Sequence, residues 1–494
     1  MTPRKIIIIG AGFGGLSSAA LLAKDGHDVT VIEKNDMAGG RARVWNEAGF
    51  KFDMGPSWYL MPDAFERFFN EFSKKPTDYY KLTRLDPSYR IYFGKDDSVD
   101  ISSDLKKNIA LFESMEAGAG EKLQEYLDQA EYQYNVSMSE FLYKDFRSIF
   151  DFLNKRMMVE GRKLHVFENL HAFTGRFFKN DKLRKILEYS MVFLGGAPKN
   201  TPALYSVINH ADMNLGVWYP DGGYGAVVEG IKTLAEELGV KFVFSESVES
   251  LQVENGTAKR VKTNKGLYVA DIVIANADYH HVETSILPKK EQSYSSRYWD
   301  KRTMAPSAFI MYLGLNKRLE NVTHHMLMLD NDWMRHFNDI FEKPTWPEHP
   351  SYYVCCPSQT DPTTAPEGCE NLFVLVPIAS GLEDTPEMRE SYYEKIMEHL
   401  ENTLGQDIKD SVIVKRMYSL NDFKEDYNAF QGTALGLSHT LWQTSLLRPR
   451  TKSKKIKNLY FAGQFTQPGI GVPMTLISGQ IARDNIREDW GDND

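Results

Sequence analysis

Lys5-Ile6-Ile7-Ile8-Ile9-Gly10-Ala11-Gly12-Phe13-Gly14-Gly15 decides the fold of this chain. Four successive isoleucines read as a short buried strand, and the glycine run after them reads as a tight turn into a helix, because an Ala/Leu-rich stretch follows. A second apolar strand (Val29, Val31, Ile32) ends on Glu33. Strand, glycine turn, helix and acidic residue in that order are the context in which a G-x-G-x-x-G match signals a dinucleotide site. Gly10 permits the turn, Gly12 lets the backbone approach a pyrophosphate, and Gly15 lets the helix pack on the strand. The helix N-terminus, reached through Phe13 and Gly14, offers unpaired N–H groups to the phosphates. Glu33 stands near the expected interval of ~20 residues and accepts hydrogen bonds from the ribose hydroxyls.

The far end of the chain carries the complementary half. Asn458-Leu459-Tyr460-Phe461-Ala462-Gly463 reads as a strand. It runs through Gln464-Phe465-Thr466-Gln467-Pro468-Gly469-Ile470-Gly471-Val472-Pro473 into a last helix. A cofactor clasped by both ends is long, and FAD is the usual one. FAD rather than NAD also follows from Lys34-Asn35-Asp36-Met37-Ala38-Gly39-Gly40-Arg41, which leads within a few residues to Phe52-Asp53-Met54-Gly55-Pro56-Ser57. Two glycines beside an arginine provide close backbone approach and a fixed cation with several donors, suited to a second phosphate contact.

Composition narrows the class. The 494 residues are 42% hydrophobic and 25% charged, the balance of a soluble globular protein with two or three domains. A net charge of -9 argues against nucleic acid as the main partner and against a global attraction to anionic lipid. No run approaches the ~18 apolar residues of a membrane span. The apolar run at 6–9 is too short for a signal peptide. Cys355, Cys356 and Cys369 fit neither a disulfide framework nor a metal site, so a reducing cytoplasm is the expected setting.

Beyond residue 70 the pattern is helical and aromatic as far as Gly195. Gly216-Val217-Trp218-Tyr219-Pro220-Asp221-Gly222-Gly223-Tyr224-Gly225 then announces a turn into an amphipathic helix that ends at Gly239. A strand near 241–244 follows, then a hairpin turned at Asn255-Gly256. The apolar run Ile272-Val273-Ile274-Ala275 has the composition of a buried parallel strand. The middle block therefore rejoins the N-terminal sheet. The expected class is α/β, with a discontinuous Rossmann-like domain (1–70, 214–290 and 451–494). Inserted into it are a helical cap (71–213) and a mixed substrate-binding sheet with a lid (291–450). The Trp-, Pro- and Tyr-rich stretch 330–362 reads as a mostly structureless lid or binding loop.

These residues bring a family into view. The chain resembles the bacterial and fungal-type phytoene desaturases, the FAD-dependent carotenoid desaturases and isomerases, over nearly its full length. The likeness rests on the nucleotide turn, Gly39-Gly40-Arg41, Asp53-Met54-Gly55-Pro56-Ser57, Leu194-Gly195-Gly196-Ala197-Pro198, Gly216-Val217-Trp218-Tyr219-Pro220, Ala275-Asn276-Ala277-Asp278, the segment from Thr360-Asp361-Pro362 to Cys369, and the C-terminal segment. Gln467 stands where many members carry histidine, and Gln464 where they carry a small residue. Those two positions leave the substrate and the number of desaturation steps open.

The resemblance implies a fold of the amine-oxidase type. It implies that Gly10, Gly12, Phe13, Gly14, Gly15 and Glu33, with Lys34 beside them, hold the ADP part, and that Gly40 and Arg41 lie near the phosphates. Gly55, Pro56 and Ser57 would lie beside the flavin, and Val248 and Asn276 on the adenosine side. Gly463, Gln464, Val472, Pro473, Met474 and Thr475 would meet the ribityl chain and ring, with the last helix directing its positive end at the ring edge that gains charge on reduction.

The implied reaction is hydride removal from a saturated carbon flanked by alkenes, followed by proton loss, with the cofactor carrying the hard chemistry. No acid/base pair is required by it. Asp145, Arg176 and Asp212 are polar residues of the substrate region that read as surface or salt-bridging groups. The pairs His280-His281 and His324-His325 do not read as metal ligands, because adjacent residues point to different faces. The absence of a second G-x-G-x-x-G and of C-x-x-C points to a quinone, oxygen or another small acceptor.

The hydrophobic carotenoid must come from a bilayer. The basic, aromatic stretch 141–179 reads as a membrane-contacting surface, through Leu142, Phe146, Ile149 and Leu153 at helical spacing and then Phe167, Phe173, Phe177 and Phe178. Peripheral membrane association is the expectation. A later-pathway 3,4-desaturase acting on a hydroxylated or monocyclic carotenoid, an amine or protoporphyrinogen oxidase, and a flavin-free GDP-dissociation inhibitor are the competing readings.

Overall fold

The structure, a computed structural model, describes residues 2–148, 165, 168–330 and 332–491. Its centre is a five-stranded parallel sheet in the order Leu459–Phe461, Ile272–Ala275, Lys5–Ile9, Asp28–Ile32, Lys241–Val243. Three distant parts of the chain thus supply one sheet. Lys5–Ile9 sits in the middle, with Ile7 opposite Val273 on one side and Thr30 on the other.

Its isoleucines are consumed on both faces. Ile6 and Ile8 pack into a core with the helices Phe13–Lys24, Tyr224–Glu237 and Val472–Trp490, whereas Ile7 and Ile9 face Leu251 and Val261 of an antiparallel meander. A strand covered on both faces has no place for alternation, which explains the unbroken apolar run. The meander contains the hairpin Val248–Glu254 with Thr257–Thr263, turned by Asn255 and Gly256, both at positive φ.

A second, seven-stranded mixed sheet runs Val412–Tyr418, Ser307–Leu315, Glu370–Ile378, Tyr352–Cys355, His325–Met328, Tyr89–Gly94, Asp97–Ile101. Along Ser307–Leu315 the period of two divides the labour. Phe309, Met311 and Leu313 bury against the helix Pro386–Leu404, while Ala308 and Ile310 face the interior cavity. The helices Ala119–Val136 and Val207–Met213 pack together on that cavity side.

Three expectations fail here. The stretch 330–362 contains the helix Trp333–Phe341 and the buried strand Tyr352–Cys355, so it is sheet interior rather than a loose lid. Its Trp and Tyr residues are core, and its prolines only bound the elements. The segment 71–213 is not purely helical, because Tyr89–Gly94 and Asp97–Ile101 complete the second sheet.

The membrane-contacting reading of 141–179 also fails for three of the phenylalanines it rested on. Phe146, Phe173 and Phe178 are buried, and Phe173, Phe177 and Phe178 stack around Tyr126. Arg147 pairs with Glu488 and Arg176 with Glu168. Residues 142–148 form no regular helix. Ile149, Leu153 and Phe167, with the cations at 155, 156, 162 and 163, lie outside the described residues. Among the described residues, no helix is long and apolar enough to cross a membrane.

Candidate cofactor and substrate cavity

Between the two sheets lies a cavity of about 1060 Å³. That exceeds the ~300–1,000 Å³ usual for one drug-sized ligand and leaves room for a cofactor and a second molecule. All of the residues singled out from the sequence as cofactor contacts line it except Gly15.

Gly15 lies behind the wall. A side chain there would overlap the carbonyl of Gly10, so its role is to bring the helix onto the strand. Gly10 has φ +97°, and a Cβ there would sit 2.8 Å from the Asn276 carbonyl oxygen. Asn276 is the knot of the clasp: its Nδ2 donates to the Gly10 carbonyl (3.2 Å), and its Oδ1 lies where a Gly14 side chain would be. The two chain ends meet directly as well. Ser17 Oγ donates to Leu476 O (2.8 Å), and Ser18 Oγ donates to Gly479 O (3.4 Å).

One end of the cavity is polar. Glu33 accepts from the N–H groups of Ala11 (2.8 Å) and Asn35 (2.9 Å), which fixes its carboxylate and leaves acceptor capacity free. Gly12, Phe13 and Gly14 line the wall at the start of a helix whose first N–H groups have no intrahelical acceptor. Lys34 bonds the Glu425 carbonyl. Arg41 is half-buried, and desolvation there lowers its pKa. Its guanidinium lies over Tyr427 and donates to Thr433 O (3.3 Å), while its Nε has no partner. Orphan backbone donors, an orphan guanidinium N–H and a carboxylate with spare lone pairs fit a dinucleotide. At the other chain end Val472, Pro473, Met474 and Thr475 form the cavity-facing first turn of a 19-residue helix.

Sequence reasoning missed several groups at this end. Asp278 accepts from the N–H of His281 (3.0 Å) and of Phe430 (3.2 Å), and burial raises its pKa to about 6. His281 lines the wall, and burial lowers its pKa to about 4. The available signals were the place of Asp278 at the end of Ala275-Asn276-Ala277-Asp278 and its position as a helix cap before Tyr279. The grouping of Arg43, Asp426 and Tyr427 joins residues nearly 400 apart and had no signal at all.

The other end is apolar, walled by Trp58, Leu60, Phe141, Ile208, Ile310 and Leu375, and no Asp, Glu, Lys or Arg lines it among the described residues. Ser57 bonds Tyr353 (2.8 Å), whose hydroxyl bonds His325 Nδ1 (2.6 Å), and His325 stacks on Trp58. Burial drives the His325 pKa well down and the Tyr353 pKa up, so both are neutral. His439 accepts from the Ile470 N–H at Nε2 (3.1 Å) and bonds Tyr205 through Nδ1 (2.6 Å). With both nitrogens engaged and the pKa far below its usual value, it holds a wall in place and has no lone pair to spare.

Asp145 and Arg176 are ion-paired, with Arg147 and Glu168, which fits the salt-bridging reading. Asp212 departs from that reading. It is fully buried, its pKa is raised to about 7 by desolvation, and Oδ2 accepts from Tyr89 (2.7 Å) and Tyr189 (3.1 Å). Gln467 clasps the backbone of Phe146 on both sides and also donates to Asp145. His324 and His325, contrary to the opposite-faces expectation, place their ring nitrogens with Cys355 Sγ within 4.8 Å of one another. His324 precedes the strand His325–Met328, so the strict alternation does not apply to it.

A cradle for a dinucleotide opening onto an uncharged apolar chamber defines a flavin oxidoreductase. The family model for flavin containing amine oxidoreductases matches residues 13–486, and the chain belongs to that family. Within it, the relatives are carotenoid desaturases. The chain is 47% identical over 485 residues, 98% of each chain, to a carotenoid 3,4-desaturase of Haloarcula japonica. It is 32% identical over 490 residues to a zeta-carotene-forming phytoene desaturase of Myxococcus xanthus, covering 98% of this chain and 94% of that one. An oxidoreductase from Methanosarcina mazei shares the fold, with TM-score 0.63 at 19% identity over 98% and 100% of the two chains. The cofactor is FAD. The amine-oxidase and flavin-free readings give way to the desaturase branch.

Proposed function

We propose that the chain is an FAD-dependent carotenoid desaturase that removes two hydrogens from adjacent carbons of a long polyene, and that the bond is the 3,4 bond of a late-pathway carotenoid. The observation that carries the reaction class is the uncharged apolar chamber continuous with the dinucleotide cradle. The closer resemblance to a 3,4-desaturase (47%) than to a phytoene desaturase (32%) favours the late bond over phytoene itself. The hydroxyls of Tyr205, Thr444 and Ser445 on the wall suit a hydroxylated end group.

FAD, when bound, supplies the hydride acceptor. The protein's own residues do the rest. Glu33, Arg41 and the first turn of Phe13–Lys24 bind the nucleotide, and the turn at Val472 sits at the opposite chain end of the same cavity. Trp58, Ile310 and Leu375 exclude water and align the polyene. Because Tyr353 and His439 are neutral and hydrogen-bonded, no residue described in the apolar wall is a ready strong base. Proton loss therefore goes to solvent or to a weak acceptor rather than to a dedicated dyad. A small acceptor, quinone or oxygen, would take up the electrons that the bound cofactor receives.

Expression in two hosts tests the bond. One accumulates phytoene and the other a hydroxylated carotenoid with a saturated 3,4 bond. A red-shifted pigment only in the second host is the expected outcome. A shift only in the phytoene host would return the assignment to phytoene-type desaturation, and no shift in either would defeat both.

A further inference from the structure

Of the large hydrophobic side chains that the structure leaves exposed, Trp442 is the most open, at 80%, and Leu447 follows on the same loop at 41%. Both also line the cavity, together with Leu446. The cavity therefore reaches the surface at a loop that exposes a tryptophan and a leucine to solvent, at an evident cost in exposed apolar area.

The charge around this mouth inverts that of the molecule. Between Asp426 and Asp484 there is no acidic residue, while Arg448, Arg450, Lys452, Lys454, Lys455 and Lys457 crowd ten positions of a chain whose net charge is -9. Arg448 is buried and bonds the carbonyls of Leu437, Gln443, Gln464 and Thr466, which anchors the loop. Lys452 pairs with Asp489. Arg450, Lys454, Lys455 and Lys457 are exposed.

The basic run and the tryptophan loop are neighbours in space. Gln443, next to Trp442, exchanges two hydrogen bonds with Thr303 (2.9 and 2.8 Å). Arg302, beside Thr303, lies over Tyr298, and Tyr298 stacks on Tyr294. Tyr294 in turn carries Lys454 over its ring and accepts from the Arg450 N–H (3.0 Å).

We infer that this face, with Trp442 and Leu447 at its centre and the cations of 450–457 at its flank, docks on an anionic lipid bilayer and sets the cavity mouth against the hydrocarbon. The occupant follows from the charge. A tryptophan flanked by exposed cations suits the headgroup region, where aromatic rings and lysines are favoured and anionic lipid attracts basic segments. The inference rests on the polyene reading, since only an insoluble substrate needs a bilayer at the door, but its test does not depend on turnover.

The flavin-loaded protein is sedimented with vesicles of phosphatidylcholine alone and with added phosphatidylglycerol. Wild type is expected to partition onto the anionic vesicles, less so as salt rises. Trp442→Ser is expected to lower that partition about tenfold, and Lys454→Glu/Lys455→Glu/Lys457→Glu by more than about a hundredfold, each with full flavin content. The triple charge variant, whose residues lie outside the cavity, should still desaturate detergent-dispersed polyene while losing polyene supplied in vesicles. Unchanged vesicle binding in both variants would overturn the inference. So would a Trp442-dependent dimer in solution, which would make the occupant a second copy. Vesicle binding lost on mutation, with no desaturation under any condition, would uphold the surface and sink only the substrate.

Discussion

Glu33 shows how one side chain carries both fold and site. Its carboxylate is held by the N–H groups of Ala11 and Asn35, so it is already oriented over the glycine turn before any ligand arrives. Charge-assisted hydrogen bonds of this kind are worth ~1.5–3 kcal/mol, so Glu33→Ala is expected to weaken FAD binding about 10- to 100-fold, read by titration calorimetry of the deflavinated protein. Glu33→Gln, which keeps an acceptor, should lose less.

Asp212 makes a different residue-scale prediction. Its folded pKa of about 7 lies above the unfolded value near ~3.9, so folding favours the protonated form. Its contribution is fully present below pH ~4, is lost as pH rises toward ~7, and stays lost above that. Asp212→Asn removes this dependence. Urea unfolding should find the variant more stable than wild type above pH ~7, by up to about 4 kcal/mol, and close to wild type near pH ~4. A wild-type advantage at high pH would show that Asp212 is ionised and held by its tyrosines.

Among the elements, the hairpin Val44–Glu47 with Phe50–Asp53 shows how distant segments are locked. The helix Tyr224–Glu237 starts at Gly223, which offers no side-chain cap. Asp53 supplies the cap from across the sequence, accepting from the N–H groups of Tyr224 (2.7 Å) and Gly225 (3.1 Å). Asp53→Ala leaves both part-buried donors without their acceptor. It is expected to cost at least ~1–2 kcal/mol of stability, measured as a lowered urea midpoint at unchanged slope. Asp53 was legible in the sequence only as part of the motif before Gly55-Pro56-Ser57. That its partner is a helix more than 160 residues away is a tertiary fact.

For the whole molecule, the decisive feature is that residues 10–57, 246–281 and 462–475 converge on one cavity whose opposite end is roofed by unrelated helices. The cofactor half was readable because backbone conformation demands particular residue types there: glycine at a turn with positive φ, glycine where a helix meets a strand, an acid at a strand end. The apolar half was not, because Trp58, Ile310 or Leu375 in a cavity wall looks in sequence like any core residue. The same ambiguity made the aromatic stretch 141–179 read as an exposed face. Phe173 and Phe178 lie in a basic stretch yet fill the core, while Trp442, isolated in sequence, stands in solvent.

The sequence alone determined the parallel α/β nucleotide fold, the flavin cofactor and the meeting of the two termini, since those depend on local backbone geometry and on a strand too apolar to have an exposed face. Only the tertiary structure decided which hydrophobic side chains wall the chamber, which histidines are tied up by hydrogen bonds, that Asp212 is buried, and where the chamber opens. Burial depends on what packs from elsewhere in the chain, and no local pattern encodes the partner.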